Sequence, residues 1–496
     1  MKKFLKGCLS LALMFVVVFS FTACKTKLSD TTVDTSKVKS SNGVSTNGGM
    51  TVVHGNYLYF INGTKTNDGT NLEDNTRSAI YRVKYDIKSG EINKKSYERV
   101  VSNLAGFEKG SLYIFGDFLY YAVPCTDENY KGDILYNKLT FMRYDLVNKK
   151  SYELYTTNQN TSGDISYAYY IVGDSLNLVV YEKIDASITS VKINKKVTTN
   201  YVIKDVTSCT FSENNGRSLK SGKTDANNFV YYTVGHDQGE PVQTGVKVYR
   251  TSPVKNNSKL LSDDGKEVTV LCVRNGKLIY TVGNVVYFAN ITGSNSDKLS
   301  FEFSNVLTYS SSENVIFMEN EDGSISLLTY NKTTYALVVT KWIDGVEIMH
   351  HEVNILSGTE DDNFSFVGIT TLTEEIEYEE ENPESGEMET KTRNEKAQYL
   401  IYINNSTIYK IEIAREDEHG EMKLSKYTQP ITLSTSDVEA PTGLLMPEVI
   451  GNNLFVLAKD KDKNIHMHVI DISVTENSTE NATMVGVAEE EKEEKK

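Results

Sequence analysis

The chain has 496 residues, and its 67 acidic against 52 basic side chains give a formal charge of −15. A surface of that sign repels nucleic acid and anionic lipid headgroups, leaving basic proteins, cations and neutral glycans as partners. Five cysteines at wide spacings exclude a disulfide-built scaffold.

The first 23 residues fall into three zones. Lys2, Lys3 and Lys6 are followed by an almost unbroken apolar run from Leu9 to Phe21, and then by Thr22, Ala23 and Cys24. A basic start, a short apolar run and small residues make a secretory signal, and the run is short of the roughly 20 residues that span a bilayer. Phe21-Thr22-Ala23-Cys24 resembles the lipobox of bacterial lipoproteins, with Phe21 where that family usually carries Leu. The resemblance implies cleavage before Cys24 and acylation of its thiol with palmitate-type chains, hence a membrane partner through the N-terminal lipid and a place on the extracytoplasmic face of the cell membrane. Cleavage removes three lysines, taking the charge from −15 to −18. The 43 lysines against nine arginines fit an AT-rich genome of the low-GC Gram-positive kind. Cys8 is lost with the signal and Cys24 carries lipid, leaving Cys125, Cys209 and Cys272, for which no disulfide is expected.

Residues 24–49 are Thr, Ser, Lys, Asn and Gly with few large apolar side chains. They predict a flexible tether spanning on the order of 30 Å. From residue 50 to 473 the apolar runs are short, alternating and rich in Tyr, Val, Ile and Phe, with Asn, Asp and Gly between them, which is the pattern of strands and hairpins. A unit recurs in which Gly or Asn and a polar residue precede an aromatic run: Gly55-Asn-Tyr-Leu-Tyr-Phe, Gly116-Asp-Phe-Leu-Tyr-Tyr, Gly173-Asp-Ser-Leu, Asn227-Asn-Phe-Val-Tyr-Tyr, Gly276-Lys-Leu-Ile-Tyr, Glu313-Asn-Val-Ile-Phe and Gly451-Asn-Asn-Leu-Phe-Val. Second strands follow at Ala79-Ile-Tyr-Arg, Thr140-Phe-Met-Arg, Val246-Lys-Val-Tyr-Arg, Asn284-Val-Val-Tyr and Ser324-Ile-Ser-Leu. A further unit opens at Asn363 and continues through Tyr399 and Thr407.

Repeats of roughly 40–60 residues, each a small antiparallel sheet unable to bury both faces alone, predict an all-β fold, a single β-propeller. The count favours eight blades, with seven as the alternative and tandem β-sandwiches as the rival architecture. Each aromatic run is expected as an inner strand, and a strand from residues 50–61 is expected to complete the short closing unit. The repeat resembles the propeller lipoproteins of Gram-positive bacteria, whose domains carry Gly-Asp/Asn-x-apolar-Tyr-Tyr units. That resemblance implies a fold and an address, and no activity.

Residues 374–396 hold ten glutamates. Apolar residues alternate on both sides of Asn382-Pro-Glu-Ser-Gly386, predicting a long acidic β-hairpin that projects from the propeller, with a disordered loop as the alternative. Residues 474–496 end in a like-charge run and are expected to stay solvated.

Motifs for chemistry fail on spacing. Gly216 and Gly222 enclose five residues where a phosphate loop needs four. Asp460, Asp462 and Asn464 alternate like a calcium loop, but Ile465 stands where glycine belongs. His350-His351 and His466-Met-His468 lack further ligands nearby. No Gly-x-Ser-x-Gly occurs, so no catalytic residue, metal or cofactor is expected. Tyr378, Glu379, Glu380 and Glu381 in the hairpin, with Tyr130 in the acidic segment 127–133, are the candidate partner-binding residues. The expected function is a monomeric, non-enzymatic platform for a protein or envelope glycan. The alternatives are a glycan hydrolase or lyase using acids in the propeller funnel, and an assembly component of an envelope complex.

Overall fold

A computed structural model describes residues 51–62, 64–65, 79–101, 112–124, 138–158, 164–172, 175–194, 196–211, 229–235, 245–263, 265–274, 277–282, 285–290, 315–319, 325–331, 336–343, 346–355, 364–383, 385–425, 428–434, 448–459, 464–478 and 483–485. The strands among these residues assemble into eight small antiparallel sheets. The first contains Thr51–His54, Tyr57–Asn62, Ala79–Tyr85 and Ile92–Val101; the second contains Tyr113–Phe115, Phe118–Pro124, Leu139–Asp145 and Lys150–Thr156. Six more follow in chain order, beginning at Ile165, Val206, Val268, Val315, Phe364 and Glu448.

The sequence repeat forms a hairpin of adjacent strands in most of the sheets. In the first, second, fourth and fifth units the aromatic run is the second strand and the downstream run the third, paired antiparallel. The Tyr-Arg motif then has a physical reading. Tyr59 lies opposite Arg82, Tyr120 opposite Arg143 and Tyr231 opposite Arg250. Each guanidinium covers the aromatic ring two residues before that tyrosine: Arg82 sits 4.4 Å from the Tyr57 centroid, Arg143 4.4 Å from Phe118 and Arg250 4.5 Å from Phe229. Cross-strand tyrosine pairs stack in the fourth, fifth and seventh sheets, Tyr232 on Tyr249, Tyr280 on Tyr287 and Tyr402 on Tyr409, with centroids 5.3, 5.6 and 5.2 Å apart. The sixth unit departs from this plan. Its aromatic run, Val315–Glu319, is the first strand, and Ile325–Asn331 is the second.

Burial differs between strand positions in places: the first strands Thr51–His54 and Tyr113–Phe115 are almost wholly covered, whereas the fourth strand Lys255–Ser262 is solvated over its first six residues. Neighbouring sheets pack through continuous apolar clusters. One cluster joins Val52, Phe60 and Tyr81 of the first sheet to Leu119 of the second and to Phe455 and Met467 of the eighth. Others join the second sheet to the third, the third to the fourth, the fourth to the fifth and the seventh to the eighth. The first strands of the fifth, sixth and seventh sheets touch in turn. The chain is all-β, and this succession of packed sheets is propeller-like.

Two expectations are corrected at the ends of the chain. The strands of residues 51–54 and 57–62 belong to the first sheet and do not complete the eighth. The outer side of the eighth sheet is instead shared by Thr64–Lys65, paired with Asn464 and Ile465, and Thr483–Met484, paired with His468 and Val469. Val485 is fully buried, so part of the segment expected to be solvated belongs to the fold. Between the first and eighth sheets, the Met467 N–H donates to Asn62 Oδ1 at 2.9 Å, and the Tyr85 hydroxyl donates to the Ile450 carbonyl at 3.0 Å. Asn453 Nδ2 donates to the Gly90 carbonyl at 2.9 Å.

Candidate functional site

The seventh sheet differs from the others in the length of its first two strands. Phe364–Glu381 and Met388–Asn404 have 18 and 17 residues, where most strands have five to eight. They pair from Phe364 with Asn404 to Glu381 with Met388. The Asn382 N–H donates to the Glu387 carbonyl at 2.8 Å across the turn, and the Gly386 N–H donates to the Asn382 carbonyl at 2.8 Å. Gly386 has φ +71°, a left-handed conformation that glycine adopts without steric cost. The long hairpin expected from the alternation is therefore formed. No described residue from Thr373 to Asn394 is buried. The nine residues from Thr373 to Glu381 carry the tip about 30 Å beyond the covered part of the sheet.

Strand periodicity sorts the side chains onto two unlike faces. Glu374, Ile376, Tyr378 and Glu380 share one face, with Glu395, Arg393, Lys391 and Glu389 opposite them in that order. Charges on this face are paired within the molecule. Lys391 Nζ meets Glu380 Oε2 at 2.8 Å, Arg393 lies 5.0 Å from the Tyr378 centroid, and the Arg393 Nε donates to Glu395 Oε1 at 2.8 Å. At the root of the hairpin Arg415 is the hub. Its guanidinium meets Glu374 Oε2 at 2.8 Å, Glu412 Oε2 at 2.5 Å and Glu395 Oε2 at 3.7 Å. The Tyr399 hydroxyl donates to Glu374 Oε1 at 2.7 Å. Lys410, fully buried, lies 4.2 Å from the Tyr399 ring centroid and donates to the Ile472 carbonyl of the eighth sheet at 2.8 Å.

Electrostatics identify this root as a brace. Burial alone would raise the Glu374 carboxyl, but the Tyr399 hydroxyl and Arg415 outweigh it and hold it below its ordinary value. Burial, and then the bond to the Glu374 carboxylate, push the Tyr399 phenol up, away from the ionisation a nucleophilic tyrosine needs. Burial lowers Lys410, and nearby acids offset part of that shift. Three carboxylates share one guanidinium, which ties Phe364–Glu381, Met388–Asn404 and Thr407–Glu416 together at the root.

The other face carries Glu375, Glu377, Glu379 and Glu381, all exposed. Opposite them stand Asn394, Thr392, Thr390 and Met388. Among the described residues no cation pairs with these four glutamates, and Met388 is 59% exposed beside Glu381. The candidate residues are thus divided by the pleat. Tyr378 and Glu380 are engaged on the paired face, and Glu379 and Glu381 stand free on the acidic face. Tyr130 and Cys24 lie outside the described residues, as do residues 216–224, Cys125 and most of the 460–464 segment. Sequence reasoning missed Arg415 and Glu412. Their signal was present only as an acid and a base three residues apart on a strand.

Elsewhere His468 is buried, and its Nδ1 donates to the His466 carbonyl at 2.7 Å. Among the described residues no three His, Cys, Asp or Glu side chains lie close enough to hold a metal ion. The tyrosines of the repeated strands are largely core: Tyr113, Tyr120, Tyr169, Tyr170, Tyr231 and Tyr280 are among the largest fully buried side chains. Cys209 is a free thiol that burial pushes up.

No protein-family model matches the chain, and no curated protein sequence matches it. Solved structures do. A protein from Lactobacillus plantarum is similar at TM-score 0.36 and 12% identity, over 86% of this chain and 96% of that one. A dihydro-heme d1 dehydrogenase is similar at TM-score 0.43 and 11% identity, over 86% and 73%. An oligogalacturonate lyase in complex with manganese is similar at TM-score 0.33 and 6% identity, over 87% and 96%. At such scores none of these likenesses carries an argument about chemistry.

Proposed function

We propose that the chain is a non-enzymatic binding platform held by lipid on Cys24 at the extracytoplasmic face of the membrane, its eight sheets closed into one eight-bladed propeller. Its acidic hairpin is the arm that engages a partner protein with a basic surface. The observation that carries this reading is the row of Glu375, Glu377, Glu379 and Glu381, exposed without cations on a ribbon that stands clear of the sheets. Acids within a fold are usually paired, as Glu374, Glu395 and Glu412 are here. Four that are exposed and, among the described residues, left without a cation keep their charge for a partner.

Deleting residues 377–392 and closing the ends with a short glycine-containing turn tests the arm. These limits keep Arg393, whose partner Glu395 is only 6% exposed in its side chain. The truncated protein is expected to fold with little change in its unfolding midpoint, since the removed segment buries nothing. Capture of basic envelope proteins from a native membrane extract should fall at least tenfold, and the captured fraction from the intact chain should drop steeply between low and physiological salt. Capture that survives deletion with unchanged salt dependence refutes the arm.

The anchor is tested by Cys24→Ser. The change is expected to leave an uncleaved precursor, or to move the protein from the detergent phase to the aqueous phase, because the acyl chains supply the stable attachment. Unchanged detergent partitioning refutes lipidation at that residue.

A further inference from the structure

The hairpin carries an unpaired strand edge as well as a charged face. Among the described residues the only strand hydrogen-bonded to Phe364–Glu381 is Met388–Asn404, so the other edge of Phe364–Glu381 has no strand partner. Four outer sheet edges elsewhere in the molecule are blunted. The pairings of Ile92–Val101, Lys150–Thr156, Val197–Ile203 and Lys255–Ser262 with their inner neighbours all contain register shifts, and three of these four strands carry a lysine. Bulges and lysines are the devices by which proteins prevent edge-to-edge pairing. Along Glu375–Glu381 the hairpin edge uses neither. From Gly368 with Ile401 to Glu381 with Met388 its register runs unbroken through 14 pairs, and Glu375–Glu381 contains no lysine and no proline. A straight, regular edge presents its backbone amides and carbonyls as a template for one more strand.

Resting on the arm reading above, we infer that this edge accepts an extended segment of the partner as an added β-strand along Glu375–Glu381, and that the segment carries Lys or Arg at every second position. Charge selects the occupant. A second copy of this chain would set its own glutamate row against this one, and like charges directly opposite destabilise a strand pair. An alternating basic segment places each cation across from Glu375, Glu377, Glu379 or Glu381, whose side chains repeat every two residues, about 7 Å apart. Neutral or polar side chains of the incoming strand would then lie on the face of Ile376 and Tyr378, where Lys391 and Arg393 already supply the positive charge. Affinity would come from main-chain hydrogen bonds, and specificity from the two-residue charge period.

The test uses the full chain in detergent and the octapeptide acetyl-(Lys-Thr)4-amide, read by fluorescence anisotropy at low ionic strength. The reference peptide has four lysines followed by four threonines. The alternating peptide is expected to bind about tenfold tighter than the reference, because only its cations match the glutamate spacing. Glu377→Lys combined with Glu379→Lys should abolish the binding. Two further peptides carry N-methyl groups on the four lysine amides or on the four threonine amides. Strand addition uses the amides of one set only, so one peptide should lose at least tenfold and the other should bind nearly as the parent. Equal affinities for the two methylated peptides, with charge reversal still abolishing binding, would overturn strand addition and leave the acidic arm intact. Absent or charge-independent binding of the alternating peptide would also overturn it, while the loop-deletion capture assay decides separately whether the arm itself stands.

Discussion

Arg415→Met is expected to lower the stability of the protein by about 3 kcal/mol at neutral pH, because it removes the cation shared by three carboxylates at the root of the hairpin. Glu374 and Glu412 each keep only 15% of their side-chain surface exposed and Glu395 6%, so water cannot replace the guanidinium fully. The sign with pH follows from Glu374. Its carboxyl is held below the ordinary value in the folded chain. It therefore contributes stability above the unfolded carboxylate range, and that contribution is lost as pH falls through the depressed folded value. In Arg415→Met the Glu374 carboxyl loses one of the two groups that outweigh its burial and binds a proton more readily than in the parent. The difference between variant and parent should accordingly narrow as pH drops from 7 towards 4. Denaturant midpoints measured across that range check it. Adding Glu374→Gln and Glu412→Gln to the variant should recover part of the loss, since neutral amides tolerate the site without the cation. A constant difference across pH, or no recovery, would mean that lost packing of the arginine stem dominates.

Asn62→Leu should be nearly as damaging, at about 2–4 kcal/mol, and its effect is expected at the join between the first and eighth sheets. Asn62 is 3% exposed. Its Oδ1 accepts the Met467 N–H and its Nδ2 donates to the Tyr97 hydroxyl at 3.0 Å, so one side chain satisfies groups on two sheets. Leucine fills the volume and leaves the backbone amide of a fully buried methionine without that acceptor. Hydrogen exchange should quicken first in residues 464–471, where the strand is held on its outer side by two pairs from Thr64–Lys65 and two from Thr483–Met484. Uniform acceleration across all eight sheets would show instead that the sheets unfold as one unit and that the join is no weaker than any other contact.

Much of this architecture was legible in the sequence because it is local. Alternating aromatic runs separated by glycine or asparagine form hairpins through contacts within some 30 residues, and the period of two decides which side chains share a face. The ribbon of Phe364–Glu381 and Met388–Asn404 was readable for that reason: Ile376 and Tyr378 precede a Pro-Gly turn, and Met388 and Thr390 follow it at the same spacing. The same periodicity already separates Glu374 and Glu380 from Glu375, Glu377, Glu379 and Glu381. The sixth unit misled because Val315–Glu319 has the composition of the repeated second strand, and composition does not say which position in a sheet a strand takes.

Only the tertiary structure decided the rest, wherever partners are distant in sequence and the strand is short. Thr64–Lys65 and Thr483–Met484 are two-residue pairings with no apolar pattern of their own, fixed by the free edge of Asn464–Asp471. Asn62 and Met467 meet across 405 residues, a contact that no local propensity encodes. Which of the ten hairpin glutamates are neutralised depends on where Arg415, Tyr399 and Lys410 arrive from the neighbouring strands. Periodicity determined that the glutamates would lie on two faces, and register determined which face turned towards the cations and which kept its charge for solvent.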